Sequence, residues 1–164
     1  MFNKFITAAV AAFSVALPAT ATIQPGTPDL IRTVAEHMTV VFNKGATCAK
    51  PGVVGSYQLS NKTLTLCPGL EVTADDHDTV RHEVWHAIQH CLSSPGARSL
   101  EPVIEVGTKE YWDLVADNLS IKQAKFIQDS YPERAWHVEN EAFVAAATLT
   151  SSQIEDIFID SCVD

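Results

Sequence analysis

Basic side chains are scarce in this chain: 11 Lys and Arg stand against 20 Asp and Glu, a net charge of −9. So acidic a protein repels phosphate backbones and anionic lipid, which excludes nucleic acid and charged membrane surfaces as partners. Runs of like charge are missing too, so no stretch reads as a charged, disordered tail. There is no internal repeat and no low-complexity segment, which excludes solenoids and long linkers. The four cysteines include no C-x-x-C pair, which argues against a cysteine-ligated zinc site. Beyond residue 21 no apolar stretch is long enough to span a bilayer. What is present is a chain of 164 residues, 46% hydrophobic, which suits one packed domain.

The N-terminus reads as a secretory leader over residues 1–21, leaving 22–164 as a single domain. Lys4 supplies the positive start, Phe5 to Leu17 an uncharged apolar core, and Ala19-Thr20-Ala21 a small-x-small cleavage site after Pro18. Export to a secreted or periplasmic location changes how Cys48, Cys67, Cys91 and Cys162 are read. An even count in an oxidising compartment implies two disulfides. Three pairings are possible. Cys48–Cys67 would clasp the ends of a hairpin segment, and Cys91–Cys162 would tie the end of a central helix to the C-terminus.

That helix is the stretch Asp78 to Cys91, DTVRHEVWHAIQHC, which contains His82-Glu83-Val84-Trp85-His86. No Pro or Gly interrupts Asp75 to Leu92, and Val80, Val84, Ala87, Ile88 and Cys91 follow helical spacing. Residues four apart on a helix share a face, so His82 and His86 can aim two imidazoles at one ion, for which Zn2+ is the usual occupant. Glu83, about 100° round the helix, can reach a metal-bound water without ligating the metal and act as general base.

The rest of the chain reads as a helix-rich α+β domain with a small sheet before the metal helix. Thr27 and Pro28 open a helix whose apolar stripe, Leu30, Ile31, Val34, Met38, Val41 and Phe42, runs to about Asn43. Val53–Leu59 and Thr63–Cys67, joined by Ser60-Asn61-Lys62, read as a hairpin. Pro68-Gly69 ends it, and Thr73 with Asp76 caps the metal helix. Ser93 to Gly107 is a loop. Helices are expected over Lys109–Asn118, Ser120–Ser130, Glu133 to about Leu149, and Ser152 to Phe158.

A catalytic zinc site needs a third protein ligand. His90 lies in line with the first two along the helix and cannot complete a shell around one ion. Glu139 shares an inward face with Ala135, Trp136, Ala142, Phe143 and Ala146, where a carboxylate is costly unless paired or metal-bound. It is the first choice, with an ion pair to Arg81 or Arg134 as the plainer explanation. Glu141 lies about 200° away on the same helix and is the runner-up. Glu105 and Glu110 also follow the motif at suitable distances.

HEVWH with Thr79 and Val80 before it and Ala87 and Ile88 after it, then a later helical glutamate, resembles the gluzincin branch of the zincin metallopeptidases. Leu92 stands where a metzincin would carry its third histidine. Glu139-Asn140-Glu141-Ala142 is similar to the E-x-E-A stretch of minimal zincins, a likeness that implies Glu139 as ligand. The gap from His86 to Glu139 is longer than is usual in that family, and no aspartate stands four residues after Glu139, where Phe143 is found. The resemblance implies a zincin-like fold, one zinc ion, hydrolysis of a peptide or protein substrate, and a strand just before the metal helix lying antiparallel to bound peptide. Thr63 to Cys67 fits that place. His137, Tyr131 and His90 are the candidate oxyanion donors. Two other readings stay open. One is an inactive zincin-fold binding module, against which the intact Glu83 counts. The other is an envelope metal-binding protein, at which His90 and Asp75-Asp76-His77-Asp78 hint.

Overall fold

A computed structural model of the protein describes residues 26–50, 52–67 and 74–163. The expected leader, the Pro68-Gly69 turn and the Thr73 cap lie outside them. The chain forms a helix-rich α+β fold with one small sheet preceding the main helices. In order these are α1 (Thr27–His37), β1 (Thr39–Phe42), a single turn α2 (Gly45–Cys48), β2 (Gly55–Gln58), β3 (Thr63–Leu66), α3 (Ala74–Leu92), α4 (Lys109–Asn118), α5 (Ile121–Ser130), α6 (Trp136–Thr148) and α7 (Ser151–Cys162).

The first departure from the sequence reading is at residue 38. The helix opened by Thr27 and Pro28 stops at His37, Met38 turns extended at φ −149°, and Thr39–Phe42 becomes β1. Thr39, Val40 and Val41 are β-branched, stiff at χ1 and better packed on a pleated surface than in a helix. β1 pairs parallel with β3, Thr39 opposite Thr63 and Phe42 opposite Leu66. The expected hairpin is present as β2 and β3, antiparallel with Gly55 opposite Leu66, joined by a 3-10 turn over Leu59–Asn61 and a left-handed Lys62. The strand order is therefore β1-β3-β2. This corrects the assignment of Thr63–Cys67 as the strand that pairs with a peptide. β3 is central and its two edges are taken, so among the described residues the strand of this pair with no strand on its second edge is β2.

Three helix starts follow from side-chain caps, and α1 instead starts from Gly26 with no side-chain cap, so Thr27 is its first helical residue and not its cap. Thr108, Ser120 and Thr150 each accept a backbone N–H of the first turn, with reciprocal glutamines at Gln123 and Gln153, while α1 has Pro28 in its first turn. The last helix runs past Phe158 to Cys162, because Cys162 is held by Cys91. Both expected disulfides are formed, with Cα atoms 5.2 Å apart in Cys48–Cys67 and 5.3 Å apart in Cys91–Cys162. They are what an oxidising compartment permits. Among the described residues no helix is long and apolar enough to cross a membrane.

α3 is the axis of the fold. Val80, Val84, Ala87 and Ile88 are buried against Leu30 and Val34 of α1, Leu64 and Leu66 of β3, Ala142 and Ala145 of α6, and Ile154 and Phe158 of α7. Each large aliphatic side chain so placed contributes about 1.5–3 kcal/mol. Burial does not stop at the apolar face: every residue from Val80 to Gln89 is buried. Arg81, His82, Glu83, His86 and Gln89 are therefore polar groups out of water, and each must find a partner or hold one.

Candidate metal centre

Several of these buried groups find partners on α6. Helical spacing brings His82 and His86 together edge to face, with ring centroids 4.7 Å apart, planes at 87° and Nε2 atoms 3.1 Å apart. Glu139 reaches them from α6, its Oε2 lying 3.3 Å from His82 Nε2 and 3.6 Å from His86 Nε2. The three ligand atoms lie within 4.8 Å of one another, a group that can hold a metal ion. Two observations support that fit. Oε2 of Glu139 is buried and receives no hydrogen bond of ordinary geometry. The two Nε2 atoms face each other, and without an added positive charge only one of them can donate. Burial works to raise the pKa of Glu139, but His82 and His86 outweigh it and hold the group at about 2. Burial works to lower that of His86, and Glu139 with Glu83 lifts it to about 9. The cluster thus gathers positive charge around one point, which a cation can supply in place of protons.

The outer nitrogen of His86 is also tied. His86 Nδ1 lies 2.7 Å from Oε1 of Gln89. Gln89 Nε2 donates to the carbonyl of Val138 at 3.1 Å and to Glu141 Oε2 at 2.8 Å, which turns its oxygen toward the imidazole. Nδ1 then carries the proton, and Nε2 keeps its lone pair for a metal. The ring of His82 is braced by Phe143, centroid to centroid 4.7 Å.

Glu141 is as buried as Glu139 but does different work. It accepts from Trp85 Nε1 (3.2 Å), Gln89 Nε2, and the backbone N–H groups of Val103 (2.9 Å) and Ile104 (2.8 Å). It is thereby the anchor of the loop before α4 rather than part of the cluster, as the 200° between the two glutamates requires. Glu105 and Glu110 are exposed and stand outside the cluster. Arg81, the plainer partner weighed for Glu139, donates to the carbonyl of Ala146 and pairs with Asp78, and Arg134 is exposed.

Glu83 is buried beside β2. A methyl on Gly55 would fall 2.8 Å from its Cγ, so the absence of a side chain at Gly55 is what lets the strand lie against the carboxylate. Burial raises the pKa of Glu83, opposed by His82, His86 and a backbone hydrogen bond from Tyr57. Of the three candidate oxyanion donors, Tyr131 is brought to the centre. Burial and the charges of Glu139 and Glu83 push its phenol upward and keep it protonated. His137 is bonded to the Tyr111 hydroxyl at 2.9 Å and His90 to the Tyr57 hydroxyl at 2.6 Å. His77, one hint of a second metal cluster, is buried against Thr27, which itself meets Ser151 Oγ at 2.6 Å. Sequence reasoning missed Gln89 and Gly55. A polar residue one turn past His86 on a buried helix, and a glycine inside a strand, are the signals that mark them.

Compared with protein-family models, with curated proteins and with solved structures, the chain gives no match in any of the three.

Proposed function

We propose that this chain is a secreted or periplasmic zinc-dependent endopeptidase of gluzincin type. The observation that carries the reading is the meeting of His82, His86 and Glu139 with Glu83 on the same helix, one residue from the first ligand. His82, His86 and Glu139 would hold the ion, leaving a fourth position open. Zinc, when bound, lowers the pKa of a coordinated water and polarises the scissile carbonyl.

The chain's own groups do the rest. Glu83 removes a proton from the water and returns it to the leaving amine. Its burial keeps its basicity above that of an exposed carboxylate, which suits a group that must both take and give a proton. The protonated phenol of Tyr131 is the donor for the developing oxyanion. The substrate's main chain is received by β2. Cys67 N–H bonds the carbonyl of Val54 at 2.9 Å, so Val54, Ser56 and Gln58 spend their hydrogen bonds on β3. Alternation then turns the polar groups of Gly55 and Tyr57 to the other edge, where the Tyr57 N–H is given to Glu83 and the Gly55 groups and the Tyr57 carbonyl are left to receive a peptide as a further strand.

The test is metal content and turnover on one preparation. Protein made in an oxidising compartment should carry about one zinc per chain and cleave members of a broad peptide library. A chelator should abolish cleavage and added zinc restore it. Cleavage that survives chelation would refute the reading. Tight zinc binding without cleavage of any library member would favour the inactive binding module instead.

A further inference from the structure

A groove of about 600 Å³ is lined by Tyr57 and Gln58 of β2, His90 of α3, and Ala97 and Arg98 of the following loop; none of His82, Glu83, His86 or Glu139 lines it, and it meets the metal centre through Tyr57, whose backbone bonds Glu83. His90 stands one helical turn past His86, about 6 Å along the axis, which is close to two residues of an extended peptide. The groove thus lies at the Gln58 end of β2.

Its charge is opposite to that of the molecule. The chain as a whole carries −9, yet the groove presents Arg98, and Lys62 is near enough to His90 to help lower its pKa. Four other basic side chains are neutralised locally, Arg32 by Asp29, Arg81 by Asp78, Lys109 by Asp113 and Lys125 by Asp129, while Lys44, Lys50, Lys122 and Arg134 have no ion pair among the described residues but do not line the groove. Among the described residues neither Arg98 nor Lys62 has a carboxylate in ion-pair range. The carboxylate on the Arg98 loop is spent elsewhere. Glu101 accepts from the N–H (2.9 Å) and hydroxyl (3.0 Å) of Ser94. Those bonds close the loop. Ser94-Pro95-Gly96-Ala97 forms a turn with Ala97 N–H on the Ser94 carbonyl at 2.9 Å and Gly96 at φ +82°, the turn type that needs glycine at its third position. Arg98 is thereby carried on a braced turn rather than a loose tip.

We infer that this groove is a subsite for a carboxylate side chain, Asp or Glu, about two residues to the N-terminal side of the cleaved bond, and that Arg98 selects it. The position follows from strand direction. A peptide laid antiparallel to β2, the orientation that the zincin resemblance implies, enters at Gln58 and leaves at Gly55, where Glu83 lies. The placement rests on the peptidase reading, whereas the carboxylate preference itself is a binding property and can be read without turnover.

The experiment therefore has two arms. In the first, zinc-loaded Glu83→Gln protein is titrated by fluorescence anisotropy with neutral host peptides that differ in one Asp or Ala. The Asp peptide should bind roughly fivefold tighter at low salt, the range of a partly exposed ion pair. Arg98→Ala should bring that ratio to about one, and Arg98→Glu should invert it in favour of a Lys peptide. A ratio near one with Arg98 intact, a ratio unchanged in Arg98→Ala, or no binding of either peptide overturns the inference. In the second arm a single Asp is scanned along a host peptide cleaved by the wild type. The kcat/KM should peak with Asp about two residues before the cleaved bond, and a peak after the bond overturns the placement. If the wild type cleaves nothing in a zinc-dependent way, the peptidase reading fails while the first arm still decides the groove.

Discussion

Gln89 and His86 are joined at 2.7 Å through the imidazole nitrogen that faces away from Glu139. That bond sets the tautomer of one proposed ligand, and Gln89 is in turn held by Glu141. Outer partners of this kind commonly change metal affinity by about 10–100-fold. Gln89→Ala should therefore weaken zinc binding by about that factor, measured by chelator competition, while far-UV circular dichroism stays that of the native fold. Unchanged affinity would show that packing alone orients His86.

Glu141 bears on stability rather than chemistry. Its carboxylate accepts from two side chains and from the N–H groups of Val103 and Ile104, all in a buried setting. Glu141→Ala strands those donors and frees the loop before α4. A loss of about 3–5 kcal/mol in urea unfolding is expected, the cost of leaving partners of a buried charge unpaired. Protease cleavage between residues 93 and 107 should rise in parallel.

The two glutamates also mark how far the sequence could be read. Periodicity alone turned Glu139 inward and set His82 and His86 on one face, because both are local properties of a helix. It also turned Glu141 into a runner-up ligand. What distinguishes Glu141 is a set of donors that includes backbone N–H groups of a loop some 37 residues away, and no side-chain pattern encodes those. β1 was hidden for a related reason. Met38, Val41 and Phe42 continue the helical stripe of α1, and only pairing with β3, 24 residues on at Thr63, makes Thr39–Phe42 a strand. The disulfides were legible because the even count and the compartment limited them to three pairings.

His90 gives a pH dependence. It faces the Tyr57 hydroxyl from β2 and Lys62 from the turn before β3, and shares the groove lining with Arg98. Burial first, then the charge of Lys62, lowers its pKa below the ordinary 6.5. The neutral ring is the form the fold favours. Its contribution to stability is present above pH 6.5 and is lost as pH falls through the folded-state value. An NMR titration of the imidazole should give a midpoint below 6.5. Lys62→Asn, which suits the left-handed backbone there, should raise that midpoint. A wild-type midpoint at or above the ordinary value refutes the argument.

The base and the ligands separate by substitution. Glu83→Gln keeps the shape of the side chain but cannot accept a proton at neutral pH. It should retain about one zinc per chain and lose about 10²–10⁴-fold in turnover. His82→Ala and His86→Ala should lose the metal instead, and the apo chains should still fold, held by both disulfides. Zinc loss in Glu83→Gln as complete as in the histidine variants would reassign Glu83 as a ligand.

Gly55 offers the sharpest test of how β2 serves the site. Its backbone does not lie in the left-handed region, so alanine is conformationally allowed. The obstacle is contact: a Cβ would stand 2.8 Å from Cγ of Glu83, 2.8 Å from Cγ2 of Thr79 and 3.0 Å from Oε1 of Glu83. Either the carboxylate or the strand must shift. Displacing a catalytic group by a fraction of an ångström to an ångström costs up to about 100-fold in rate, and a single overpacked methyl costs about 1–3 kcal/mol in stability. Gly55→Ala should therefore lower kcat by about that factor with zinc content unchanged, since His82, His86 and Glu139 lie outside the contact. Adding Thr79→Ser removes the Cγ2 half of the clash. If the strand were what moved, the double variant would recover both stability and rate. We expect it to recover stability alone, because the methyl still meets Glu83. Wild-type turnover in Gly55→Ala would show that β2 does not hold the base in place.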